Sequence, residues 1–322
     1  MKFASFISNN RRRIGIATAD DALYDITDIV AGSTRCDADM LDLIGASAKL
    51  LPVIQDELAR SSLLRVSAEN FRWLPPVPRP GKICGIAMNN SASNERKIEA
   101  PDHPAFFLKP PSCLVGHNEA IRVREYYGSV HPEPELAVVI GTKARDVDAK
   151  DAMSHVFGYS IFNDITGNGM RGEDLFRYWA LYRDADGELE RREQHLSYAG
   201  RYKGSDTFGC MGPWLVTKDE VEDPDALGVF CSVAGETIAE DNTGYYNYKV
   251  AEIISFISQF QTLEPGDVIS CGTAFKPSAD RKSIHHANFQ VVAGPVEVRI
   301  EGLGILNNPV IVERQPIGRW RL

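Results

Sequence analysis

Two stretches of this chain stay apolar for the length of a strand and carry acids at one end. Residues 136–140, LAVVI, follow Glu133 and Glu135 and are closed by Gly141; residues 156–162, VFGYSIF, lead into Asn163 and Asp164. A run without a polar face is how a strand buried on both sides reads. Strand side chains alternate, so Glu133 and Glu135 share a face, with His131 behind them if the strand reaches that far. Elsewhere the period changes. Residues 2–7 (KFASFI) and 13–18 (RIGIAT) read as short strands around a turn-like SNNRR. Helical spacing covers 39–51 and 53–64, with a break predicted at Pro52. A strand is predicted over 82–88, a polar loop or short helix over 89–97 and a short helix over 148–155. Val250, Ile253, Ile254, Ile257 and Phe260 recur at helical spacing, after which the turn LEPGD at 263–267 feeds a strand from Val268. Prolines 75, 76, 78 and 80 form a stiff, extended connector. The expected division is a small N-terminal domain, 1–77, and a larger domain, 78–322, in an α+β, β-rich chain.

Composition narrows the function. Charged residues make up 25% and hydrophobic ones 43% of 322 positions, ordinary values for a soluble globular protein. A net charge of −9 argues against nucleic acid or an anionic membrane as a partner, so an anionic small substrate would need a local basic pocket. The six cysteines form no CxxC pair, which suits reduced thiols of a cytoplasmic protein and neither a disulfide framework nor a zinc site. No apolar run approaches the roughly 20 residues of a spanning helix, and the first residues lack the apolar core of a signal peptide. No GxSxG elbow, histidine metal spacing or internal repeat is present.

The acids carry the candidate chemistry. Two like charges at the mouth of a packed interior require a cation, or one of them takes up a proton. Asp164 is the natural third carboxylate, and three hard oxygen ligands suit Mg²⁺, Mn²⁺ or Ca²⁺ with positions left open. Against this stand a solvated strand end for the glutamates and a turn or helix cap for Asp164. Lys203, flanked by Gly200, Tyr202, Gly204 and Phe208, is either solvated or carried into the acidic site; in the second case three carboxylates, one divalent cation and one ammonium sum to zero. Residues 167–172 match GxGxxG, but the stretch 173–194, EDLFRYWALYRDADGELERREQ, reads as polar, with no apolar strand to hold a ribose-binding acid, so no dinucleotide is expected.

Five motifs taken together resemble the fumarylacetoacetate hydrolase superfamily: HPEPELAVVIG (131–141), GYSIFND (158–164), YKGSDTFGCMGPW (202–214), LEPGDVISCGT (263–273) and GLGILNNPV (302–310). The resemblance spans about residues 80 to 310. It implies a mixed β-roll of packed sheets behind a small N-terminal α/β domain, a homodimer, and bound Mg²⁺ or Mn²⁺, with Ca²⁺ as a crystallisation substitute. By motif register the metal ligands fall on Glu133, Glu135 and Asp164, the active-site lysine on Lys203 and a substrate-contacting threonine on Thr273. Family members hydrolyse acylpyruvates or β-diketones at a carbon–carbon bond, decarboxylate oxaloacetate-like acids or isomerise unsaturated 2-oxo acids.

Two departures stand out. Where the family's hydrolases carry a base histidine this chain has Ser93, leaving Glu95 to activate water without an imidazole partner. After Asp164 the usual Ala-Arg-Asp run is replaced by Gly167-Asn168-Gly169, and Arg171 occupies the register of a substrate-contacting glutamine, where it would clamp a second carboxylate or lie solvated. The leading expectation is carbon–carbon bond hydrolysis of a small acylpyruvate or 2-oxo diacid. Isomerisation or decarboxylation, which needs no activated water, is the alternative, and an inactive metabolite-binding family member is a third reading.

Overall fold

Asn9 and Asn10 both adopt positive φ, 49° and 60°. A two-residue turn of that kind has the twist needed to join Lys2–Ser8 to Arg11–Ala17 as a hairpin. The computed structural model describes residues 1–19, 22–32, 38–67, 69, 71–90, 94, 97–273 and 287–320. The hairpin does not stand alone: Lys2 and Phe3 pair with Val216 and Leu215 of Gly209–Thr217. One sheet therefore runs through Leu64–Arg65, Leu23–Asp25, Arg11–Ala17, Lys2–Ser8, Gly209–Thr217, Val156–Asp164, Pro134–Ile140, Val268–Thr273, Ile83–Ala87 and Ala105–Lys109.

The middle of that sheet is buried on both faces, as the apolar runs predict. Every residue of Pro134–Ile140 and Val156–Asp164 is buried. Leu136, Val138 and Ile140 point into a core with Ile253, Ile254 and Ile257 of the helix Val250–Phe260 and with Val229, Val298 and Leu306 of a four-stranded sheet. Ala137 and Val139 point into a second core with Phe3, Ile14, Ile16, Met40, Leu43 and Ile54. The first 77 residues thus cover one face of the central strands, and the packed second sheet and helix cover the other. The chain is strand-rich α+β.

Three local expectations change. The helical segment breaks at Ala46 and not at Pro52: Asp39 caps Met40–Gly45 through Leu41 and Asp42, and Ser47–Ala59 then runs through Pro52, held by the buried Leu50 and Ile54. Burial of that face outweighs the lost backbone hydrogen bond. The proline-rich connector is no free spacer, because Leu74 N donates to Ser5 O, Ser5 Oγ donates to Pro76 O, and Val77 is fully buried. The stretch after GxGxxG is not a structureless polar segment: Leu175–Arg183 and Leu189–Ser197 form an antiparallel hairpin. Its pattern misleads because both faces are exposed, so nothing sorts the side chains into an apolar side and a polar side. Being a hairpin and not a βαβ unit, it gives no dinucleotide fold.

Cys84, Cys113, Cys210, Cys231 and Cys271 are free and buried. Among the described residues, no helix is long and apolar enough to cross a membrane.

Candidate metal centre

The three acids converge because neighbouring strands deliver them. In Pro134–Ile140, Glu135 pairs with Phe162 on one side and Thr273 on the other, and Pro134 pairs with Asn163. Glu133 lies just before the strand. Its N–H donates to Asn163 Oδ1 at 2.9 Å, and its carbonyl accepts from Asp164 N at 2.9 Å, which locks it beside the end of the aspartate strand. One carboxylate oxygen from each of Glu133, Glu135 and Asp164 then lies within 4.8 Å of the others. The solvated-strand-end and helix-cap readings fail here, since Glu135 and Asp164 are 2% and 1% exposed.

Around this trio the chain supplies donors. Glu135 Oε2 accepts from Ser270 Oγ and from Gly272 N at 3.0 Å, and Oε1 accepts from Thr273 Oγ1 at 3.2 Å. Gly272 is required there: its φ is 94°, and a Cβ would lie 2.8 Å from Asn89 Cβ. The small residues Gly272 and Thr273 thus aim their donors at the protein's own carboxylate. Lys203, on the short helix Gly200–Gly204, is buried, contrary to the solvated reading of its composition. Its Nζ donates to Glu133 Oε2 at 2.8 Å and to Asp164 Oδ2, and sits 5.2 Å from the Phe107 ring centroid. His131 Nε2 hydrogen-bonds Glu133 Oε1 at 3.2 Å.

Lys109 is the residue that sequence reasoning missed. Fully buried, its Nζ donates to Asp164 Oδ1 and to the backbone carbonyl of Lys203. The signal was the one that marks the acids: a charge ending an apolar strand, FFLK, before the rigid Pro110-Pro111. Alternation puts Lys109 on the face of Phe107, which underlies Lys203.

The electrostatics separate the acids. Burial alone would raise Glu133, but the Lys203 ammonium and His131 outweigh it and hold its carboxyl well below the usual range. Burial pushes Glu135 up to about 8, assisted by the charges of Asp164 and Glu133 and opposed by Lys203. Burial also works against a charged Lys203, yet Asp164, Glu133 and Glu135 together raise it above its ordinary value. Three convergent carboxylates, one pushed toward its protonated form by burial and by the charges of the other two, form a donor set that fits a hard divalent cation.

Arg171 is exposed, with its guanidinium carbon 5.9 Å from the centroid of the Tyr202 ring; no described hydrogen bond or ion pair joins it to the trio. Ser93 and Glu95 lie outside the described residues.

Residues 82–311 match the family model for the fumarylacetoacetate hydrolase C-terminal domain. The chain is 33% identical over 247 residues to the mitochondrial oxaloacetate tautomerase of Xenopus laevis, covering 76% of this chain and 70% of that protein. Its structure is similar to maleylpyruvate hydrolase from Sphingobium sp. SYK-6 in complex with manganese(II) and pyruvate, with TM-score 0.73, 26% identity, and 98% and 100% of the two chains covered. It is also similar to the fumarylacetoacetate hydrolase of Exiguobacterium antarcticum, with TM-score 0.71, 27% identity, and 97% and 100% covered. The strand-borne acid trio, the matched model and these likenesses lead to one conclusion: the chain belongs to the fumarylacetoacetate hydrolase family.

Proposed function

We propose that this protein is a divalent-metal-dependent enzyme acting on a small 2-oxo acid, with Glu133, Glu135 and Asp164 holding Mg²⁺ or Mn²⁺. The convergence of the three carboxylate oxygens within 4.8 Å is the observation that carries the reading. When bound, the cation supplies Lewis-acid stabilisation of negative charge developing on the substrate's keto-acid oxygens.

The chain's own residues set the rest. Counting Lys109 changes the charge balance expected from the sequence. Three carboxylates, two ammonium groups and a divalent cation leave one positive charge, which matches the carboxylate of a 2-oxo acid entering a chain of net charge −9. Lys203, whose Nζ is desolvated and held by Glu133 and Asp164, is assigned to stabilising an oxyanion beside the trio. Ser270, Gly272 and Thr273 fix Glu135, and His131 fixes Glu133. Thr273, whose Oγ1 donates to Glu135 Oε1, is assigned to contact with a substrate oxygen. Arg171 is assigned to a second carboxylate of the substrate, and Glu95 to activation of water.

The finer reading is hydrolysis of a carbon–carbon bond in an acylpyruvate or 2-oxo diacid, with water added across the cleaved bond. Tautomerisation of an oxaloacetate-like acid is the second reading, favoured by the 33% identical tautomerase, since proton exchange at an enolisable carbon needs no hydroxide. The test is to incubate the Mn²⁺-loaded protein with acylpyruvates, unsaturated 2-oxo diacids and oxaloacetate, and to follow product mass and the enol absorbance. Two smaller acids from one acylpyruvate establish hydrolysis, and enol decay at unchanged mass establishes tautomerisation. No turnover with any of them rejects the enzyme reading. Arg171→Ala should raise KM for dicarboxylic substrates more than for monocarboxylic ones; equal effects would reject the clamp.

A further inference from the structure

The GxGxxG run at 167–172 belongs to no dinucleotide fold, and its first glycines have another use. Gly169 N donates to Ser129 O at 3.0 Å, and a Cβ on Gly169 would lie 2.4 Å from Tyr127 O and 2.7 Å from Gly128 Cα. Gly128 has a φ of 64°. With neither residue carrying a side chain, the turn after the aspartate strand meets the turn before Glu133 backbone to backbone. His131 and Thr166 continue this seam by exchanging both of their backbone hydrogen bonds, each at 3.0 Å. Gly167 N donates to Tyr202 O at 2.9 Å, next to Lys203. The segment from Asp164 to Met170 is thereby pinned between the approach to Glu133 and the short helix of Lys203.

What the seam presents is the Asn168 side chain. Its Nδ2 lies 3.5 Å from His131 Nδ1, and His131 Nε2 lies 3.2 Å from Glu133 Oε1. The ring between them is fully buried. The order of donors follows from the end of this chain of contacts. Glu133 is a carboxylate paired with the Lys203 ammonium at 2.8 Å, and a carboxylate only accepts. In a neutral imidazole the hydrogen therefore belongs on Nε2, which leaves on Nδ1 a lone pair that calls for a donor. The Asn168 amide supplies it. Turned the other way, with Oδ1 towards the ring, the amide would draw the hydrogen to Nδ1 and leave Nε2 facing Glu133 with a lone pair. Being neutral, the amide also does this without altering the charge balance of the site.

We infer that Asn168 is a positioning residue: by donating to Nδ1 it selects the form of His131 that carries its hydrogen on Nε2, and so aims the hydrogen bond that holds Glu133 in place. The inference rests on the reading of Glu133 as a metal ligand. Asn168 acts through the ring, at one remove from the cation, and losing an outer hydrogen bond of this kind weakens metal binding by about ten- to a hundredfold.

The experiment has two readouts on the full chain. The first is the ring itself: long-range proton–nitrogen NMR of histidine-labelled protein, metal-free and with Mg²⁺, with His131 assigned by its loss in His131→Gln. The expected wild-type ring has its hydrogen on Nε2 and a bare Nδ1, and Asn168→Ala and Asn168→Leu should move both nitrogens towards an averaged signal. The second is a double-mutant cycle on Mn²⁺ affinity. A glutamine at 131 offers an N–H in the place of Nε2 and has no tautomer to set. Each Asn168 variant should weaken Mn²⁺ binding about tenfold or more beside His131, and about twofold or less beside Gln in the His131→Gln background. A residue that only packs the turn would cost the same in both. Equal losses in the two backgrounds overturn the inference, and so does a wild-type His131 with a hydrogen on Nδ1, a result that needs no variant to fold. A chain that binds neither ion but shows the expected ring rejects the metal reading and keeps Asn168 as the group that sets the ring.

Discussion

Glu135 ties the chemistry of the site to pH. Its folded carboxyl titrates near 8 against an ordinary 4.5, so without a cation the folded chain holds a proton that the unfolded chain has released. The sign follows: this group lowers the stability of the metal-free protein as pH rises from about 4.5 through about 8. Glu133, held low, acts oppositely, adding stability above its ordinary value that is lost as pH falls below it. A cation must displace the Glu135 proton. Calorimetric titration with Mn²⁺ in buffers of different ionisation enthalpy should therefore show close to one proton released at pH 6.5 and little at pH 9, with affinity falling about tenfold per pH unit below 8. Glu135→Gln should abolish the proton release and weaken Mn²⁺ binding by two orders of magnitude or more with the fold intact; unchanged affinity would reject the ligand set. Lys109 makes a second case. Lys109→Met leaves Asp164 Oδ1 and the Lys203 carbonyl without their donor, and removing one partner of a buried pair costs about 3 kcal/mol or more. If Lys109 supplies charge for the substrate, the variant keeps or tightens Mn²⁺ binding while KM for a 2-oxo acid rises at least tenfold. A merely structural lysine would weaken both.

At the scale of elements, the site depends on strands brought unusually close. Gly158 lies where the aspartate strand crosses Gly209–Thr217, and a Cβ there would meet Val216 O at 2.1 Å. Gly158→Ala must push the two strands apart and shift Asp164 relative to Glu133. It should cost about 2 kcal/mol in denaturant unfolding and also reduce Mn²⁺ affinity. An alanine tolerated in both measurements would show that the strands have room to adjust. Much at this scale is legible from pattern: the two buried strands, the helix from Val250 and the acids at the strand ends follow from periodicity and length. The hairpin at 175–197 is not, because alternation reveals a strand only when one face is sorted from the other by burial within the same chain.

The whole molecule behaves as the sheet dictates. Phe3, Ile14, Ile16, Met40, Leu43 and Ile54 share a core with Ala137, Val139, Phe162 and Leu215, so the strand that presents Glu135 is covered on one face by the first 77 residues. We expect the full chain to melt in one calorimetric transition, and residues 78–322 alone to be insoluble or molten, with that apolar face uncovered. Two separated transitions, or a well-folded 78–322 fragment, would show that the two parts are independent domains.

The sequence by itself determined the class of fold and the identity of the three acids, because strand length, apolar runs and terminal charges are local properties that survive in one dimension. Tertiary structure decided what no local pattern holds. It put Lys203 inside and not in solvent, added Lys109 from a distant strand as the second ammonium, and joined the N-terminal hairpin to the central sheet. Each of these depends on which strands become neighbours, and long-range pairing is set by the burial of whole faces together, a quantity that no single stretch of residues carries.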